Sequence, residues 1–294
     1  MKILQKLLLS LFISISIFAL IELLMWSQIK DDIYTGDPAY FWKLKPNLSL
    51  EIENGLHPFS LQTNRDGFRD ASWGDGERWL FLGCSTTLGW GVAQTDGFVD
   101  LLDQHFDSVD VINGGQPGWS TQQVLQNIEE FKSFSPTKVF VGLGVRDAQL
   151  SIRADKDARP SPWIVNLNIF KWLQMKKRSQ TGTRTVGEKS NDRMVNVHRV
   201  SPADFLTSLL HIQQAFPDAD VTFYQFPQLD FSLDHAAVLS QVNAWKTDPF
   251  DQTDFFEDDP IHLTVSGHKR LAEWFIQRIE TVDKHEVILS TPNR

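Results

Sequence analysis

The run Trp79-Leu80-Phe81-Leu82-Gly83-Cys84-Ser85-Thr86-Thr87-Leu88-Gly89-Trp90-Gly91-Val92 decides how the chain is read. Four bulky apolar residues favour an extended strand, and the glycine after them permits a tight exit that presents Ser85 at the strand's carboxyl end. Comparable β-rich runs recur at Val109-Asp110-Val111-Ile112, Lys138-Val139-Phe140-Val141-Gly142-Leu143 and Asp220-Val221-Thr222-Phe223-Tyr224. Helical spacing fills the intervals over about 97–106, 121–133 and 202–216, and a last helix is expected over about 265–282. Ser120 with Gln123 reads as a capping box for the second of these. Strand and helix in alternation predict an α/β fold, a central parallel sheet covered on both faces, with the reactive crevice at the carboxyl ends of the strands.

The chemistry is therefore sought directly after each strand. Ser85 follows the first, where a base can reach its hydroxyl. Alone, a Gly-x-Ser turn is more often a structural feature, and Thr87 stands where the G-x-S-x-G elbow needs glycine. Cys84 is a weaker nucleophile candidate, because its side chain is expected to point away from that of Ser85. After the second strand comes Asn113-Gly114-Gly115-Gln116-Pro117-Gly118-Trp119-Ser120. Its glycines let backbone N–H groups approach a ligand, as an oxyanion site requires, and they also suit an ordinary strand-to-helix turn. Gly144-Val145-Arg146-Asp147 follows the third strand and brings a charged donor to the same rim. Asp258-Asp259-Pro260-Ile261-His262 precedes the last helix. On a turn, a carboxylate three residues before a histidine can orient the imidazole while it takes a serine's proton. The bland alternative is a solvated acidic loop.

Together and in this order, the four pieces closely resemble the SGNH/GDSL hydrolase family, over about residues 79–147 and 255–282. The resemblance implies a three-layer, flavodoxin-like fold. It implies Ser85 as nucleophile, Asp259 and His262 completing a triad, and the N–H groups of Ser85 and Gly118 as oxyanion donors. Arg146 occupies the position of the family's third oxyanion donor, normally asparagine, and Cys84 that of its block-one aspartate. Losing one such donor costs about 10²–10³ in rate. A guanidinium there could donate in the asparagine's place, hold an anionic substrate, or point away. The segment before the first strand, with Lys45-Pro46-Asn47 and the Asn64-to-Asp70 turn, is similar to the membrane-anchored bacterial branch, as is His198-Arg199-Val200.

That branch agrees with the amino terminus. Leu7 to Trp26 is apolar apart from Glu22, about 20 residues, enough to cross a bilayer at 1.5 Å per residue. Lys2 and Lys6 before it set the body on the periplasmic or extracellular side of the inner membrane. A cleaved signal sequence is the alternative. The expected organisation is an anchor over 1–26, an irregular tether and flap over 27–78, and a hydrolase-like domain over 79–294. A basic insertion at 151–200 carries eleven Lys and Arg against four acidic residues, although the whole chain has a formal charge of −9. That acidic balance argues against nucleic acid as a partner. One cysteine, and histidines at 57, 105, 198, 211, 235 and 268 without ligand spacing, suggest neither cofactor nor metal.

Three functions fit. The first is a tethered serine esterase acting on an envelope or extracellular ester, an acylated glycan among them. The second is an O-acyltransferase that passes the acyl group to a cell-envelope polysaccharide, supplied by an integral-membrane acyl-donor partner. The third is a catalytically degenerate member that only binds.

Overall fold

The computed structural model describes residues 2–29, 33–37, 41–53, 57–70, 74, 76–160, 167–173, 197–228 and 232–290. It divides into two compact units, residues 1–42 with 159–189, and residues 43–158 with 190–294.

The first unit contains the helix Lys2–Gln28. Its stretch Ile3–Ser27 has a mean hydropathy of 2.6, long and apolar enough to cross a membrane, as a signal sequence also can be.

The second unit is built on a five-stranded sheet of β1 (Glu77–Gly83), β2 (Val109–Asn113), β3 (Lys138–Gly142), β4 (Asp220–Gln225) and β5 (Trp245–Lys246). The order is β5-β4-β3-β1-β2, and every neighbouring pair is parallel. This is the flavodoxin-like order, with helices between consecutive strands. The expected three-layer α/β architecture is thus the one observed. β1 and β3 are the central pair, and their ends lie side by side with Gly83 opposite Gly142. Because the direction of winding reverses between them, the loops after β1 and β3 diverge to opposite faces and leave a crevice.

Aromatic packing fixes the sheet against the helix Val265–Ser290. Phe81 of β1 stacks on Phe140 of β3 at 4.6 Å and meets Phe275 edge-on at 5.3 Å. Phe81, Phe275 and Phe98 are fully buried. Burying each such ring contributes a few kcal/mol, so this cluster ties the last helix to the strand that carries Ser85.

The structure refines four expectations. The helix expected over 121–133 breaks at Asn127 into Thr121–Gln126 and Ile128–Ser133, with Asn127 at φ −109° and ψ 12°. The Ser120–Gln123 capping box at its start is present. β5 has only two residues, too short for alternation to register in the sequence. The flap also holds regular structure, because Ser49–Ile52 pairs antiparallel with Phe59–Gln62. Finally, Leu150–Ser151 pairs with Val197–His198, and the half-buried ion pair Arg199–Asp155 (2.8 Å) holds the two ends of the expected insertion together within the second unit. Most of the basic residues between them lie outside the described residues.

Candidate active site

Ser85 opens a four-residue helix, Ser85–Leu88, directly after β1. Gly83 is required there, because a Cβ on it would collide with the Thr87 side chain. The turn closes with Gly89 at φ 79°. Cys84 faces the other way, into the apolar core, 3.1 Å from the Thr86 hydroxyl. The Ser85 hydroxyl and the Cys84 thiol thus separate as the strand's alternation dictates.

His262 and Asp259 arrive from the opposite end of the chain. They lie on the short strand Asp259–Leu263, which pairs with Phe255–Phe256 in a tight hairpin. The sequence expectation of a bare turn is corrected to this. Asp259 Oδ1 accepts from the N–H groups of Ile261 (3.2 Å) and His262 (3.4 Å), which bends the strand enough for its other oxygen to reach the imidazole. His262 Nδ1 is 2.6 Å from Asp259 Oδ2, and His262 Nε2 is 2.8 Å from Ser85 Oγ. Ser85 and His262 are both buried. Burial by itself would raise the Asp259 carboxyl. The His262 hydrogen bond and charge, with the two backbone N–H groups, outweigh it and hold the group below the usual carboxylate range. An ionised carboxylate on Nδ1 leaves Nε2 as the acceptor for the serine proton.

Arg146 also reaches Ser85: its Nη2 lies 3.5 Å from Ser85 Oγ, and its Nε is buried without a hydrogen-bond partner among the described residues. The neighbouring Asp147 is completely buried and anchors this loop. It accepts from Thr121 N–H (2.9 Å), the Thr121 hydroxyl (2.6 Å) and Gly144 N–H (3.0 Å).

Gly118 has φ 76°, a left-handed conformation that suits glycine. Arg199 Nη1 donates to its carbonyl at 2.8 Å, which fixes the peptide after Gly118. Neither Gly118 N–H nor Ser85 N–H enters a hydrogen bond among the described residues. The N–H at the first position of a helix has no intrahelical partner, so the Ser85 donor is available by construction.

Sequence reasoning passed over the residues that brace these loops. Arg69, in the Asn64-to-Asp70 turn, is fully buried and donates to the carbonyls of Gly89 (2.5 Å), Val92 (2.6 Å), Ser60 (3.0 Å) and Leu88 (3.2 Å). Its neighbour Asp70 accepts from Asn113 N–H at 2.7 Å, while Asn113 Nδ2 donates to the Thr87 carbonyl at 3.2 Å. One flap turn therefore holds both the end of the serine helix and the end of β2. The signal lay in a charged pair directly after Gly67-Phe68, but nothing in one sequence tells a solvated charge from a buried one.

The sequence matches no protein-family model and no curated protein. Its structure is similar to that of a lipase/acylhydrolase from Enterococcus faecalis, with 17% identity, 70% of this chain and 96% of that chain covered, and a TM-score of 0.45. It is similar to the psychrotrophic esterase EstA from Pseudoalteromonas sp., with 14% identity, coverage of 71% and 99%, and a TM-score of 0.42. It is also similar to a catalytic mutant of the acetylxylan esterase Axe2 from Geobacillus stearothermophilus, with 14% identity, coverage of 71% and 96%, and a TM-score of 0.43. The chain's own strand order, with a serine after β1 and an Asp-x-x-His segment before the last helix, is the arrangement that the SGNH/GDSL resemblance implied.

Proposed function

We propose that this chain is a membrane-tethered serine acyl hydrolase of SGNH type, working on the periplasmic or extracellular side. The observation that carries the reading is the continuous hydrogen-bond chain Ser85–His262–Asp259, 2.8 and 2.6 Å long. In this reading residues 1–26 anchor the protein, 27–78 link and brace, and 79–294 carry the chemistry.

His262 Nε2 takes the Ser85 proton as Oγ forms a bond to the ester carbonyl carbon. The carbonyl oxygen becomes an oxyanion, met by the N–H groups of Ser85 and Gly118 and by the Arg146 guanidinium. Collapse breaks the ester bond, and the departing alcohol oxygen takes the proton from His262. Water, deprotonated by the same imidazole, then attacks the acyl carbon; the acyl–Oγ bond breaks, Oγ takes the proton back from His262, and the acid leaves. Asp259 stays ionised and stabilises the imidazolium in both halves.

The test is turnover of p-nitrophenyl acetate by the full-length protein in detergent. Ser85→Ala and His262→Ala are each expected to lower kcat by about 10³ or more. A fluorophosphonate is expected to label the parent protein and leave Ser85→Ala unlabelled. Unchanged turnover in either variant overturns the assignment.

A further inference from the structure

The helix Lys2–Gln28 is exposed along almost its whole length, yet Glu22 and Met25, one turn apart, are partly covered. What lies against Glu22 is a second stretch of the same unit, residues 167–173, whose positions 168–173 are helical. Asn168 N–H donates to Glu22 Oε2 at 2.7 Å and Ile169 N–H to Oε1 at 3.2 Å, while Asn168 Nδ2 donates to the Glu22 backbone carbonyl at 3.3 Å. The acid that interrupts the apolar run is therefore consumed by the first N–H groups of another helical turn. Both features fit an apolar setting. A carboxyl side chain placed there is costly unless hydrogen-bonded, and backbone donors at a helix start need acceptors.

Position gives this contact its meaning. Glu22 precedes Ser27, the end of the apolar stretch, by five residues, about 7–8 Å along the axis at 1.5 Å per residue. A segment bonded to Glu22 is thus held at the level of the outer interface of any bilayer the helix crosses. Its composition suits that level: Phe170 and Leu173, three residues apart and so on one helical face, are 37% and 48% exposed, and Trp172 lies between them. Trp26, on the spanning helix near the same height, is 66% exposed. Aromatic residues favour the boundary between headgroups and acyl chains.

We infer that residues 167–173 form a second membrane contact, an interfacial foot latched to the anchor by Glu22, with Phe170 and Leu173 inserted among lipid acyl chains. The inference rests on the anchor reading of residues 1–26. It gives Glu22 a partner within the same chain. It also makes the insertion a second link between the membrane and the catalytic unit.

The experiment uses the full-length chain in vesicles of phosphatidylcholine and phosphatidylglycerol, with p-benzoylphenylalanine placed singly at Ile15, Phe170 or the exposed Asp107, and irradiation followed by mass spectrometry of adducts. Lipid adducts are expected at Ile15 and Phe170 and none at Asp107. Adding Glu22→Ala is expected to reduce the Phe170 adduct several-fold and leave the Ile15 adduct intact. An adduct at Ile15 without one at Phe170 overturns the foot while leaving the anchor standing. Adducts at neither position overturn the anchor reading, and the foot with it. Crosslinking of Phe170 to a second protein chain in place of lipid, or a Phe170 adduct indifferent to Glu22→Ala, overturns the latch.

Discussion

The Arg146 guanidinium places Nη2 3.5 Å from Ser85 Oγ, so a permanent positive charge stands where the SGNH resemblance leads one to expect a neutral amide. A charge at this position stabilises an oxyanion more strongly than an amide dipole does, because the buried setting screens it weakly. Arg146→Ala is expected to lower kcat for p-nitrophenyl acetate by about 10²–10³ with a smaller change in KM. Arg146→Asn should recover part of that loss by restoring a short donor. Steady-state kinetics checks both, and a kcat unmoved by Arg146→Ala removes this residue from the oxyanion site.

Arg69 acts at a distance from the reacting atoms, through four carbonyls around the serine turn. Burial lowers its pKa to about 10, offset in part by Asp100, so it remains charged at neutral pH. Arg69→Met leaves these carbonyls without their donor and is expected to cost about 3 kcal/mol. In a unit of this size that corresponds to a fall in Tm of roughly 6–12 °C, read by thermal denaturation. Arg69→Lys is expected to recover little, since one ammonium cannot reproduce the planar fork that serves Ser60, Gly89 and Val92 together.

Gly115 makes a sharper test of the packing between two loops. A Cβ there would collide with the backbone of Leu88 and lie 2.9 Å from the Thr87 carbonyl carbon, and backbone cannot move aside as a flexible side chain can. Gly115→Ala should displace the serine helix and abolish fluorophosphonate labelling of Ser85, whereas Gly76→Ala, with its nearest neighbour 3.6 Å away, should leave labelling intact. Equal labelling in the two variants would contradict this account of the loop contact.

A half-buried carboxyl and a buried imidazole near Phe98 predict opposing pH dependences of stability. Burial raises the Asp100 carboxyl to about 7, against the Gln94 hydrogen bond and the Arg69 charge. Between its ordinary value near 3.8 and 7 the folded chain keeps a proton that the unfolded chain has released, so this group disfavours folding increasingly as pH rises through that window. His268 is driven down to about 3, first by burial and then by the charges of Arg69 and His262, and its Nδ1 accepts from Phe98 N–H at 3.2 Å. Between 3 and its ordinary 6.5 the unfolded chain binds a proton that the folded chain refuses, so the His268 contribution rises with pH. Asp100→Asn removes the first slope alone. Relative to the parent it should gain stability on going from pH 4 to pH 8, by at most about 4 kcal/mol. Denaturation curves at the two pH values decide it, and a constant difference between variant and parent counts against the assigned burial.

The order of strands and helices was legible because β1, β2 and β3 are short apolar runs ended by glycine or asparagine, and the covering helices show their apolar faces at helical spacing. Ser85, Gly118 and Arg146 were legible as residue types after strands, since loops at the carboxyl ends of a parallel sheet must converge, and Asp259 and His262 as a carboxylate three residues before a histidine ahead of the last helix. β5 and the helix Leu233–Gln241 left no such trace, because a two-residue strand and a mostly solvated helix have too little periodicity to stand out.

What the sequence by itself determined is the local backbone: where strands end, where glycine permits a turn, where an apolar run is long enough for a bilayer. What only the tertiary structure decided is which charges meet. Arg69 and Glu22 read as a polar turn residue and a stray acid. Folding makes one the brace of the serine turn and the other the acceptor for residues 168 and 169. The physical reason is that a buried charge is tolerated only with its partners in place, and those partners are backbone groups 9 to 147 positions away. No local pattern encodes a carbonyl or an N–H, since every residue carries them.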